Sequence, residues 1–335
     1  MNIKYILKTK DPERNKEFDQ RKADFLSQRK FPLAEEILAI VENPVYRDAE
    51  KINGIILQQN ALTALEASNP APYLESHRGG HFNNSHLMLQ NLSDRCMDGS
   101  IFSGIMGRGT NFEKSSVKGG DFKSAYLASA NFKYGQLQSA SLTGSFCEGI
   151  NFVGAELQNA DLSYCNLNRA SFTNAILQLA ILNGSNLDRA NLKGADMSMV
   201  KAIGAYIGQY SFWDTNLTMA NFESSYMPFV NLGDSELFRT NFNNAFLEGA
   251  SFAPSILKED YMSLKENETI EDIVKVKKLD GCTFNYTDLR DVRFTNVDLT
   301  DIDLSTANLD RVTFNDNTIW NLDEVSKQYN VKQVN

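Results

Sequence analysis

The sequence predicts a mainly β fold, a solenoid wound in five-residue steps, with a small α-helical region on its N-terminal side. Three observations predict it. An apolar residue recurs at every fifth position, a small residue sits two places before each one, and phenylalanine follows an alternation of twice that period.

From Phe82 to Leu257 the register runs for 36 consecutive steps without a slip, and 33 of them hold Leu, Phe, Met, Ile or Val. Two places earlier, 29 of the 36 residues are Ala, Gly, Ser, Thr or Cys, as at Ala125, Ala130, Ala155 and Ala180. Neither a 3.6-residue nor a two-residue period fits this spacing, so the chain must turn a corner in every repeat. Phe occupies central positions ending in 2 and never those ending in 7. Two opposite faces therefore supply rings and the other two supply Leu, Met, Ile or Val, an arrangement expected to keep rings from colliding within one coil. Each inward side chain contributes roughly 1.5–3 kcal/mol when fully buried.

Ala160-Asp161-Leu162-Ser163-Tyr164 and Ala190-Asn191-Leu192-Lys193-Gly194 carry the repeat in full: a small residue, Asn or Asp, Leu or Phe, and two further residues. In this the chain resembles the pentapeptide-repeat family, from residue 80 to about 320. The resemblance implies a right-handed quadrilateral β-helix, four pentapeptides forming a square coil of about 20 residues. The central residue and the small residue two before it would point inward.

After Leu257 the register breaks, and it resumes at Phe284, Leu289, Phe294, Leu299, Leu304, Leu309, Phe314 and Ile319. One rod over 81–320 with an insertion at 258–280 is expected, nine coils before it and two after. At about 4.8 Å per coil the rod would be roughly 50 Å long. Within the insertion, Thr269 reads as an N-cap with Asp272 three residues on, Lys275, Lys277 and Lys278 suit a helix end, and Gly281 suits a stop. A helix over about 270–279 is expected, and residues 321–335 form a C-terminal tail.

Residues 1–80 read as a helical region and linker. Asp11-Pro12-Glu13 opens a helix running to about 29. Leu33, Ile37, Leu38 and Val41 mark a second, and Ile52, Ile55, Ile56 and Leu62 a third that ends near 67. Ser68-Asn69-Pro70-Ala71-Pro72 is the linker. This region is expected to cap an open end of the rod, where unpaired β-edges invite aggregation; a separate docking module is the alternative.

The 335 residues carry a net charge of −9. Residues 1–80 are neutral, 81–257 carry −3, 258–280 carry −2 and 281–335 carry −4. Such a balance disfavours direct nucleic-acid binding through a basic face. No apolar run reaches the length of a membrane span and the first residues lack the apolar stretch of a secretory signal. Cys96, Cys147, Cys165 and Cys282 form no CxxC pair, which suits a reducing cytoplasm and argues against a disulfide scaffold. His77, His81 and His86 are close in sequence, but His81 and His86 precede central positions on adjacent faces and should diverge, so no metal or other cofactor is expected. No nucleophile triad, P-loop or dinucleotide fingerprint is present, and the chain is not read as an enzyme. Asn91, Asn111, Asn131, Asn151, Asn191 and Asn231 recur at multiples of 20 residues, as stacked amides on one face.

A second column carries the functional expectation: His86, Met106, Tyr126, Phe146, Asn166, Asn186, Tyr206, Tyr226 and Phe246. Its aromatic members should point outward along one side, with Phe229 beside Tyr226 and with Arg169 and Arg189 flanking the polar gap. Exposed aromatic residues and Arg carry much of the energy of protein interfaces. Tyr126, Phe146, Arg169, Arg189, Tyr206, Tyr226, Phe229 and Phe246 are therefore the partner-binding candidates, unless the N-terminal helices or the insertion cover the stripe. The first functional reading is a non-catalytic interaction protein, an effector or scaffold, that presents a rigid rod to a protein partner. The second follows from the resemblance: a fluoroquinolone-resistance branch of the family imitates duplex DNA and modulates DNA gyrase. The main stack, at −3, is weakly charged for such a mimic, since DNA carries about one charge per 1.7 Å.

Overall fold

A chain with an inward residue at every fifth position has to bend after each one, and hydrogen-bonded turns make the bends. The computed structural model describes residues 5–28, 78–208, 212–255, 276–320, 325 and 327–333. The chain forms two compact units, one from Lys30–Ala205 and one from Met1–Arg29 with Tyr206–Asn335.

In the Lys30–Ala205 unit each repeat ends in a four-residue turn. Ser115 N donates to Phe112 O at 3.0 Å, and Lys114, the third residue of that turn, has φ +55°. The same place holds Tyr134, Tyr164 and Arg169, also at positive φ. That conformation costs an L residue about 1–2 kcal/mol, and an Asn or Asp before the centre helps to hold the turn. Asn111 Oδ1 accepts from Glu113 N at 3.1 Å, and Asn131, Asn151 and Asp161 do the same for Lys133, Val153 and Ser163. A short side chain with an acceptor reaches the amide two residues on, which is why Asn and Asp recur there.

Successive coils pair through parallel bridges 20 residues apart. His81↔Ile101, His86↔Met106, Asn91↔Asn111 and Cys96↔Ser116 begin four columns, one for each side of the coil. Every central residue from Phe82 to Ala202 is buried. Phe102 stacks on Phe122 with centroids 4.6 Å apart, and Phe112 on Phe132 at 4.5 Å. The alternation does not hold rings of opposite sides apart, as expected from sequence: Phe102 meets Phe112 edge to face at 5.8 Å, the arrangement that the ring quadrupoles favour. The small inward residues also bond. Ser145 Oγ donates to Phe122 O at 2.6 Å and Cys165 Sγ to Leu142 O at 2.8 Å, so these buried groups are satisfied.

In the other unit Ile207, Phe212, Leu217, Phe222, Met227, Leu232, Leu237, Phe242, Leu247 and Phe252 are buried. The ladder then passes from Asn241 to Thr283, Phe246 to Asp288 and Ser251 to Arg293, steps of 42 residues in place of 20. The 22 additional residues in that step leave the register of the ladder unchanged. The expected helix at 270–279 lies outside the described residues up to 275. Its last residues, 276–279, are extended, not helical, because Lys277–Lys278 pairs in parallel with Val297–Asp298. Lys277 Nζ donates to Gly233 O at 3.0 Å and also to Ser235 O, which ties the returning chain to the coil before it.

The final coil departs from the five-residue count. Ile319, expected inward, is 50% exposed. The turn starts one residue late: Thr318 N donates to Asn315 O, and the Asn315 amide bonds Asn296. Thr318 thereby takes the small inward place, its hydroxyl bonded to Phe294 O at 2.6 Å, and Trp320 meets Phe314 edge to face at 4.8 Å.

The beginning of the chain closes this unit. Strand β1 (Tyr5–Thr9) lies antiparallel between Thr313–Phe314 and the C-terminal strand Tyr329–Gln333. It occupies the edge that a further coil would occupy, so the cap is a strand where a helix was expected. Asp11 caps helix α1 (Pro12–Ser27) by accepting from Glu13 N, with proline in the first turn. The helices expected over residues 33–67, and the linker after them, lie outside the described residues.

Candidate partner-binding face

The column that begins at His86 can be followed within each unit. In the Lys30–Ala205 unit the bridges run His86, Met106, Tyr126, Phe146, Asn166, Asn186. Tyr126 stacks on Phe146 at 5.2 Å, and Phe146 is buried. Arg169 and Arg189 stand at turns beside this column, both at positive φ, with weak ion pairs to Glu148 at 3.8 Å and Asp188 at 3.7 Å. His81 and His86 lie in different columns, and His77 is outside the described residues. Among the described residues no three His, Cys, Asp or Glu side chains gather as a metal site.

In the other unit the column reads Tyr206, Tyr226, Phe246, Asp288, Asn308. Here α1 lies along it, antiparallel to the order of the coils. Arg14 Nη2 donates to Ala307 O at 2.7 Å, and Asn15 bonds both Asn308 and Asp310. Asp19 accepts from Arg290 at 2.7 Å, Arg21 donates to Tyr286 O at 2.9 Å and Lys22 pairs with Glu248 at 2.5 Å. Phe25 then sits on Tyr226 and Phe246, with centroid distances of 6.0 and 5.5 Å. The match is geometric. The eleven residue steps from Arg14 to Phe25 rise about 16 Å along a helix, and three coil steps span about 14 Å.

The covered face changes character along its length. Under the last turn of α1 it is aromatic, and Phe246 is only 4% exposed. Under the first turns it is ionic: Asp288 is fully buried and takes three bonds from Arg290. Burial alone would lower the Arg290 pKa, but its bonds to Asp288 and then Asp19 hold it above the usual range. Lys22 follows the same logic: burial lowers its pKa, and the bond to Glu248 together with the charges of Tyr226, Glu248 and Asp288 raises it by more.

Sequence reasoning placed Tyr206, Tyr226 and Phe246 on one outward column, and in this unit they are neighbours, Tyr206 and Tyr226 at 5.2 Å and Tyr226 and Phe246 at 6.2 Å. Phe229 stands away from them, at the turn, 57% exposed and lying over Gly249. The contribution of Phe25 was not anticipated. Its only signal was a polar helix whose sparse rings, Phe18 and Phe25, needed somewhere to pack. A cavity of about 570 Å³ lies at the end of this unit, lined by Leu299, Leu304, Leu309, Ile319, Trp320 and Tyr329 among others.

The model of the family described as pentapeptide repeats matches residues 108–144, 136–167, 150–187, 180–206, 215–252 and 278–316, together more than half of the chain. The chain belongs to the pentapeptide-repeat family. It is similar to HetL, a pentapeptide repeat protein involved in heterocyst differentiation regulation in the cyanobacterium Nostoc sp. strain PCC 7120, with 21% identity, 77% of this chain and 97% of HetL covered, and a TM-score of 0.35. A trypsin-treated variant of QnrB1, a plasmid-mediated fluoroquinolone resistance protein, is 18% identical over 66% of this chain and 90% of its own, with a TM-score of 0.24. A pentapeptide repeat protein of the Arabidopsis thaliana thylakoid lumen is 20% identical over 46% and 79% respectively, with a TM-score of 0.14. No curated protein matches the chain. Among the described residues no helix is long and apolar enough to cross a membrane.

Proposed function

We propose that this protein is a non-catalytic interaction protein whose coils hold a protein-binding surface in fixed geometry. The observation that carries this reading is the turn row of Arg169 and Arg189. The two side chains project from successive coils at 61% and 67% exposure, each with one weak ion pair. Turn geometry fixes their backbones, so binding has only the side chains to order, at roughly 0.5–1.5 kcal/mol each. Phe229 holds the equivalent turn position of the other unit, and Arg and aromatic side chains are the usual anchors of interfaces. In the Lys30–Ala205 unit Tyr126 and Phe146 form the adjacent column, with Phe146 buried and backing the row. Four free cysteines suit a cytoplasmic setting.

Photo-crosslinking residues placed singly at Arg169 and Arg189, with Lys193 as control, test the reading in cells. It is supported if the two sites trap one shared protein that Lys193 does not. Adducts at no site, or equally at Lys193, overturn it.

The gyrase reading is ranked second on charge. Residues 81–205 carry 9 acids and 10 bases, far from the charge density of duplex DNA, about one per 1.7 Å. Supercoiling by purified gyrase should be unaffected by excess protein; inhibition would restore that reading.

A further inference from the structure

Helix α1 is an odd partner for the face it covers. It is highly charged, and Phe18 is its one buried residue. No basic residue sits in its last turn, where the helix dipole favours one, and Asp24 lies near that end. An isolated 16-residue helix of this composition is marginal in water, so its order comes from the contacts that it makes with the coils. Apart from Phe18 and Phe25, those contacts are ion pairs, hydrogen bonds and the cations of Arg21 and Lys22 over the Phe246 and Tyr226 rings, and Glu13 and Lys16 pair with each other in solvent. The face beneath is more specific than the helix above it. It offers two rings, Tyr226 and Phe246, then mostly acceptors, the Glu248 carboxylate, the Tyr286 carbonyl, the Asp310 carboxylate and the Ala307 carbonyl, with two donors among them, Arg290 to Asp19 and Asn308 to Asn15.

We propose that this aromatic-to-acidic face is a helix-binding groove, that α1 is its removable resident, and that the partner it fits is a basic amphipathic helix with an aromatic residue three places after a Lys. α1 supplies the template. Lys22 and Phe25, three apart, share one side of the helix with Phe18 and Arg14, so the groove reads one stripe of a helix. A partner helix of the same pattern, with a basic last turn, competes for the same acceptors. β1 remains paired on both edges when α1 leaves, because none of its strand bonds involve the helix. This inference rests on the interaction reading above and names a different surface from the Arg169 and Arg189 row.

Two measurements on the full chain test it. Native-state hydrogen exchange should show the α1 amides opening at least tenfold more often than those of the coils around Phe246; exchange of both at one common rate overturns the removable cover. A fluorescent peptide of residues 10–28 is then titrated onto the Phe18→Ser/Phe25→Ser variant, whose own helix is weakened, and onto a Lys22→Cys/Glu248→Cys variant before and after its two thiols are bridged by a bis-maleimide. Binding by the first, at least tenfold weaker binding by the wild type and none by the bridged lock are expected. No binding by the folded serine variant, or equal binding by the open and bridged lock, overturns the groove. If the serine variant fails to fold, the open lock decides alone, and its failure to bind more peptide than the bridged form overturns the proposal. Loss of this result with crosslinks intact at Arg169 and Arg189 removes the groove and leaves the interaction reading standing.

Discussion

Asp288 has no exposure to solvent, and Arg290 grips its carboxylate with two bonds, Nε at 2.9 Å and Nη2 at 2.7 Å. The pair sits between the coil and α1, with Asp19 on the outer side of the guanidinium. Arg290→Met strands a buried carboxylate and should cost about 3–5 kcal/mol, whereas Asp288→Leu with Arg290→Met removes both charges and should recover most of that loss. Urea unfolding of the three proteins decides it; a single mutant as stable as the double would refute the account.

Tyr226 is held on three sides by rings, with Tyr206, Phe246 and Phe25 at 5.2, 6.2 and 6.0 Å. Replacing Tyr206 and Tyr226 together by Ser should therefore lower stability, by roughly 2–4 kcal/mol. An unchanged thermal midpoint would mean that the rings contribute nothing to packing.

Gly233 and Gly249 predict different penalties. A Cβ on Gly233 would lie 1.9 Å from Ala253 O, a backbone atom that cannot step aside. On Gly249 it would meet the Phe229 ring, which can swing away, so the cost is the positive φ of +72°, about 1–2 kcal/mol. Gly233→Ala should destabilise more than Gly249→Ala, and adding Phe229→Ala should make Gly249→Ala no worse. The reverse order of midpoints in denaturant would count against the model of the turns.

Lys277 links the insertion to pH. Burial lowers its pKa to about 8, against partial compensation from Asp234. The folded value lies below the unfolded one, so the charged form is penalised on folding and the penalty is complete below pH 8. As pH rises from about 8 towards 10.5 the penalty is relieved, a gain on the order of 3 kcal/mol for the wild type. Lys277→Met should lack this upward component. Stability curves of the two proteins that run parallel from pH 7 to pH 10 would contradict it.

The coils were legible because their signal is local and repeated. A residue such as Leu167 sits inward for the same reason as Leu162 and Phe172, and one register fixes all three. The turn chemistry was half visible: Asn111 and Asn131 stood out as a column, but their bond to the amide two residues on belongs to each turn separately. The slip that brings Trp320 inward in place of Ile319 was hidden by the count of five. The cluster Asn315-Asp316-Asn317 was the one sign of a longer turn. Least legible was the seat of β1 and α1. Tyr5–Thr9 is too short to announce its partners, and nothing in Phe25 points to Tyr226, two hundred residues away.

The antiparallel seat of β1 ties the order of synthesis to the order of assembly. Thr9 donates to Asp310, 301 residues later, so a ribosome adding 5–20 residues per second leaves the strand waiting about 15–60 seconds for its neighbours. The coils of Lys30–Ala205 contain their own pairings and are free to form as they emerge. The last coils instead reach completion only when β1, made long before them, arrives as their final strand, so that in this unit a segment synthesised early is among the last to be built in.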